Sequence, residues 1–269
     1  MKWMVLVCIT IAALALAMAP CQGAVAAIGE KTGHFTIKYD SPEAFTPGTG
    51  KVLEDSYHKV NGLIGHLPSS IKVLIVDGGR MDDYGKHVEA FSAWNSRSST
   101  IVLREETLKD KKSLGVVATH EICHLGLNSI LQGKDAGEYE WMEEGICMVV
   151  SDEPLDDVKV ARYIVSKGFM DLPEITRAID CDDYSVCKNG YLQSFSLCRH
   201  ITRIFGTDAL IDIVKSPDPD FKRAFKTRTG VDFTAFYNGW KSMVRSRARE
   251  TPGPSVIVIH GCPILDDVH

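Results

Sequence analysis

Residues 113–131, SLGVVATHEICHLGLNSIL, form the most apolar long stretch of the chain outside its N-terminal region. Leu114, Val116, Val117, Ala118, Ile122, Leu125 and Leu127 make it an apolar helix, with Gly133 as its stop. Three ionisable residues interrupt it: His120, Glu121 and His124. Burying such groups is costly unless something compensates them, and a metal cation is the natural partner. Side chains four apart share one helix face about 5–6 Å from each other. Two imidazoles so placed can both reach one zinc ion at roughly 2.0–2.1 Å. Glu121, one step round the helix, is placed to take a proton from an attacking water. The competing reading is a pair of core histidines satisfied by backbone groups.

Outward from this segment, Trp141-Met142-Glu143-Glu144-Gly145 is the best source of a third ligand. It is expected to open a second helix, where a carboxylate suits the positive end of the helix dipole. Glu143 and Glu144 are adjacent and cannot point the same way, so one of them alone would be the ligand.

His120-Glu121-Ile122-Cys123-His124 followed by Trp141-x-x-Glu144-Gly145, with nineteen residues between His124 and Glu144, is similar to the gluzincin metallopeptidases. Within them it resembles the peptidase MA-like family, related to thermolysin and aminopeptidase N. The resemblance spans roughly residues 34–248 and is strongest at 120–124 and 141–145. It implies a thermolysin-like metallopeptidase domain, one zinc per chain held by His120, His124 and Glu144, and Glu121 as catalytic base. Asn189 to Phe195 is similar to the family's downstream segment, which implies that Tyr191 stabilises the oxyanion. A tyrosine at a helix start, packed on the core, is the alternative, and His200 is a second candidate for that role. The resemblance also implies that an edge strand, Ala90 to Trp94, pairs with a peptide or protein substrate. Trp94 would wall a subsite or serve as plain core. Two departures stand out: Glu143 replaces the family's Asn, and Met148 occupies the position where thermolysin carries a histidine-orienting aspartate.

The remaining pattern predicts an α+β fold. Strands are expected at 34–39, Ile71–Val76, Ala90–Trp94 and Thr100–Leu103, the last two as a hairpin, with a helix over 50–65. Beyond Leu108 the expectation is helical, over 139–151, 155–167, 189–205, 207–215 and 232–248, punctuated at Asp171-Leu172-Pro173 and Ser216-Pro217-Asp218-Pro219. One catalytic domain would then comprise a sheet-bearing part with the zinc helix (27–135) and a helical part (136–250), with a tail at 251–269 whose role the sequence does not give.

Lys2 followed by the apolar run Met4 to Ala19 and the small residues Ala24-Val25-Ala26 has the layout of a cleaved secretory signal over residues 1–26. The mature chain would be secreted or periplasmic, with no lasting membrane span; the alternative is that the segment stays as an uncleaved membrane anchor. Cys123, Cys147, Cys181, Cys187, Cys198 and Cys262 would remain, and an oxidising compartment permits disulfides. Cys181 and Cys187 could clip a small loop, and Cys123 and Cys147 could staple the two ligand helices or stay as thiols.

Hydrophobic residues make up 45% and charged residues 24%, which excludes wholesale disorder, and the net charge of -5 gives no reason to bind nucleic acid. Cys123 and His124 are helix neighbours that do not face each other, which excludes a cysteine peptidase built on them. No Gly-x-Ser-x-Gly elbow occurs. The rival to a peptidase is an exported protein that keeps its zinc, has lost turnover and binds a peptide or protein partner.

Overall fold

Phe35, Ile37 and Tyr39 are buried while Thr36 and Lys38 are less covered, the period-two pattern of a strand covered mainly on one face. This strand, β2 (Phe35–Tyr39), belongs to a five-stranded mixed sheet. The structure is a computed structural model that describes residues 29–84, 88–95, 98–132, 134, 136–181 and 183–251. The expected signal segment, Gly133, Cys262 and residues 252–269 of the tail lie outside the described residues.

The other strands are β1 (Gly29–Lys31), β3 (Ile71–Val76), β4 (Ala90–Asn95) and β5 (Ser98–Arg104). Their order is β1-β2-β3-β5-β4. β2, β3 and β5 run parallel, while β1 and β4 are antiparallel additions at the two margins. Helix α1 (Thr49–Leu63) connects β2 to β3, as a parallel pair requires. The expected hairpin is present, with Ala90 opposite Leu103 and Asn95 opposite Ser98, and it leaves β4 as an edge.

A short helix, α2 (Gly78–Asp82), follows β3, capped by the Asp77 side chain on Arg80 N. Helix α3 (Lys111–Leu131) carries the apolar segment. The Asp110 carboxylate caps its N-terminus by accepting from the N–H groups of Lys112 and Ser113. All but two residues between Leu114 and Leu127, Gly115 and His124, are buried. Next come α4 (Ala136–Val150), α5 (Asp157–Lys167), α6 (Leu172–Ile179), α7 (Tyr184–Phe205), α8 (Thr207–Lys215), α9 (Phe221–Thr229) and α10 (Phe233–Arg247). One hydrophobic core runs continuously from the sheet residues Ile37 and Val73 through Leu114 and Ile122 to Phe225 and Trp240. Among the described residues no helix is long and apolar enough to cross a membrane.

Several boundaries differ from the sequence expectation. α4 begins at Ala136, so Glu143 and Glu144 sit in mid-helix and the helix dipole is not what favours them. α7 begins at Tyr184 on an Asp183 cap, so the stretch expected to loop between Cys181 and Cys187 is mostly helix. None of the five described cysteines is in a disulfide. Asp171-Leu172-Pro173 starts a helix instead of only breaking one: Asp171 and Glu174 form a reciprocal capping box with proline in the first turn.

Candidate metal centre

His120 and His124 stand one turn apart on α3, with ring centroids 4.9 Å apart. Their Nε2 atoms approach to 3.1 Å. From α4, Glu144 Oε2 lies 3.5 Å from each of those nitrogens. The three atoms form a nearly equilateral triangle. Three donors bound tetrahedrally to zinc at 2.0–2.1 Å must stand roughly 3.3–3.4 Å apart, so the triangle has the dimensions the ion requires. Glu144 Oε2 is buried without a hydrogen bond, and a cation between the three atoms would satisfy it together with the two facing imidazole nitrogens. The donor set fits a zinc-sized cation.

The opposite nitrogens of the two rings are occupied by acids that the sequence did not reveal as their partners. His124 Nδ1 is 2.9 Å from Glu143 Oε1, and His120 Nδ1 is 3.5 Å from Glu153 Oε1. The Glu143 hydrogen bond fixes the His124 tautomer and turns its Nε2 toward the shared point, while Glu153 faces His120 Nδ1 at ion-pair distance. Glu143 could have been suspected, because it is the residue that breaks the family pattern. Glu153 carries no spacing signal. It arrives through the end of α4, where Glu153 N donates to Met148 O and Asp152 N donates to Val149 O. This is a Schellman turn with Asp152 in the left-handed position that glycine usually takes, at φ 58. The reversal carries the Glu153 side chain back under His120.

Charges follow from this packing. Burial disfavours the His120 imidazolium, but Glu144 and Glu153 outweigh it and push its pKa up to about 10. His124 is also raised well above the usual histidine range, burial being overcome by Glu144 and Glu143. Glu144 goes the other way: burial would raise it, yet the two imidazoles hold its carboxyl far below the ordinary carboxylate range. Side-chain exposure falls from 17% at Glu144 and 13% at His124 to 2% at His120, and Glu144 Oε2 itself is buried.

Glu121 is buried beside the donors, and burial raises its pKa against the pull of His120 and His124. The Ser92 side chain, on the edge strand β4, lies beside it and partly offsets that rise. Trp94 on the same strand is 40% exposed, which removes it from the core.

Gly145 sets the distance between α4 and α7. A methyl group there would meet Cys198 Sγ and Ser194 O at 2.5 Å. Tyr191 is buried on α7, one turn before Ser194. His200 packs on Phe236 with centroids 5.1 Å apart and has Arg203 and Arg247 as charged neighbours, which puts it in the aromatic cluster of α10.

Among the described residues, two sets of side chains could each hold a metal ion: His120, His124 and Cys147, and separately His34, Glu54 and His58, each with donor atoms within 4.8 Å. Cys147 therefore borders the same centre as Glu144. Burial, and after it the neighbouring Cys123, pushes its thiol well above the usual range, so the ionised Glu144 is the readier donor. No family model matches the chain, and neither does any curated protein.

Proposed function

We propose that the chain is an exported zinc-dependent peptidase of gluzincin type with a thermolysin-like arrangement, in which α3 lies between the sheet and the helical part. The observation that carries this reading is the triangle of His120 Nε2, His124 Nε2 and Glu144 Oε2, with Glu121 beside it.

When bound, zinc supplies a Lewis acid and brings the pKa of water toward neutrality. Glu143 and Glu153 keep the two imidazoles turned inward. Glu121 takes the proton of the attacking water and delivers it to the leaving amine, and its raised pKa suits both halves of that task. β4 is a sheet edge, and an extended peptide would add to it as a further strand. Ser92, on that strand, lies beside Glu121, so a peptide laid along it would run past the base. Trp94, exposed on the same strand, would offer an aromatic wall to a substrate side chain. Tyr191 would serve as oxyanion donor.

The test is metal analysis of purified protein combined with peptide-library cleavage. Stoichiometric zinc, cleavage lost to a chelator and cleavage restored by zinc are the expected results. The second reading, a zinc-holding protein without turnover, draws on Cys147: as a fourth protein ligand it would close the site, as in structural zinc centres. Stoichiometric zinc with no cleavage across the library selects that reading.

A further inference from the structure

We propose that His34, Glu54 and His58 form a second, solvent-accessible site for a divalent transition-metal cation such as Zn2+ or Ni2+. None of its residues lies on α3 or α4, so the inference stands apart from the function proposed above.

The local sequence builds the cluster. Glu54 and His58 are four apart on α1 and share a face, and His34 is the residue before β2. The Glu54 carboxylate is fixed in place. Its Oε1 accepts from the Thr32 hydroxyl at 2.6 Å and from the His34 backbone N–H at 2.7 Å. Its Oε2 faces His34 Nδ1 at 2.7 Å and His58 Nε2 at 4.0 Å.

Both rings are also positioned. His34 stacks on Tyr57 with centroids 3.8 Å apart and planes 17° apart. His58 meets His34 and Tyr57 edge-on, with centroids at 5.7 and 5.9 Å. One donor atom from each of the three residues falls within 4.8 Å of the others.

A clip between α1 and the start of β2 would be complete with Thr32, the His34 N–H and the His34 ring. His58 adds nothing to such a clip, because 4.0 Å is too long for a hydrogen bond. It does supply the second imidazole of a two-histidine, one-carboxylate set. The gap exceeds the roughly 3.3–3.4 Å between donors sharing a zinc ion, but the His58 side chain is 68% exposed and can close it by rotation without moving the backbone. A cation would take the place of the proton between His34 Nδ1 and Glu54 Oε2. Two imidazoles and one carboxylate favour zinc, nickel, cobalt or copper over magnesium or calcium.

The experiment is a Ni2+ titration by calorimetry at pH 7.5 on tag-free protein, comparing wild type, His58→Ala and Glu144→Gln. It is accompanied by imidazole 15N spectra with added Zn2+. His58→Ala changes an exposed side chain and should leave the fold intact. The expected result is one binding step that His58→Ala removes or weakens at least tenfold and that Glu144→Gln retains, with the His34 and His58 ring resonances shifting together. Identical isotherms for wild type and His58→Ala, or ring resonances that do not move at saturating Zn2+, would overturn the proposal. So would loss of every binding step in Glu144→Gln.

Discussion

The Nε2 atoms of His120 and His124 lie 3.1 Å apart, so at most one proton fits between them. The neighbouring carboxylates raise both imidazole pKa values, so in the metal-free protein that proton is held at neutral pH. Zinc must displace it. At pH 7 calorimetry in two buffers of different ionisation enthalpy should show at least one proton released per zinc. Zinc affinity should fall about tenfold per pH unit below that for each proton displaced. A pH-independent affinity between pH 6 and 7 would refute the assignment of these nitrogens.

Glu143 and Glu153 act on the centre only through the imidazoles. Glu143→Gln and Glu153→Gln should each weaken zinc binding about 10–100-fold, in line with other partners of ligating histidines. Competition with a chromophoric chelator measures this. Unchanged affinity in Glu153→Gln would mean that its 3.5 Å approach to His120 Nδ1 does not orient the ring.

For Glu121→Gln the expectation separates binding from chemistry. Zinc content should remain stoichiometric, because Glu121 is outside the donor triangle. Peptide cleavage should fall by about 10²–10⁴-fold, the usual contribution of a positioned base. Retained cleavage would remove Glu121 from the mechanism.

Gly145→Ala probes the contact between α4 and α7. The added methyl would lie 2.5 Å from Ser194 O, a backbone atom that cannot swing aside. Overpacking of this kind costs about 1–3 kcal/mol and should appear as a lower denaturation midpoint. Glu144 is the next residue, so zinc affinity should fall as well. A variant with wild-type stability and affinity would show that the helices separate freely.

Glu54 gives the fold an acid-sensitive limb. Burial opposes its ionisation, but the His34 ring, Thr32 and the His34 N–H outweigh this and lower its pKa from 4.5 to about 2. A depressed carboxyl contributes stability that is fully present above its unfolded pKa and is lost as pH falls toward the folded one. The loss should therefore run from about pH 4.5 down to about pH 2. Urea midpoints across this window should fall more steeply in wild type than in Glu54→Gln, and parallel curves would count against the interaction.

Strands β2 and β3, the β4–β5 hairpin, α1 and α3 were readable because their hydrophobic periods are strong and local. Ile71–Val76 is strand from end to end, and Lys111–Leu131 contains the whole apolar run. His120 and His124 were legible for a related reason, since helical spacing alone puts them on one face. The shorter elements were not read: β1 has three residues, α6 starts within a stretch whose proline suggests a break, and α9 starts just after another. Beyond the paired histidines, the carboxylates depend on tertiary geometry. Which of Glu143 and Glu144 faces the Nε2 atoms is set by the seating of α4 against α3, and Glu153 is delivered by a chain reversal. The His34, Glu54 and His58 cluster joins a pre-strand residue to a helix across the fold, beyond the reach of any local pattern.

The turn at Asp152 places an unusual demand on the gene. Changes of residue identity between Val150 and Leu155, other than at Glu153, can be absorbed wherever a left-handed backbone is still allowed at Asp152. A change of length cannot: one codon gained or lost there would rotate Glu153 away from His120 and leave the ring free to flip. Drift in this stretch should therefore proceed by substitution, with insertions and deletions purged.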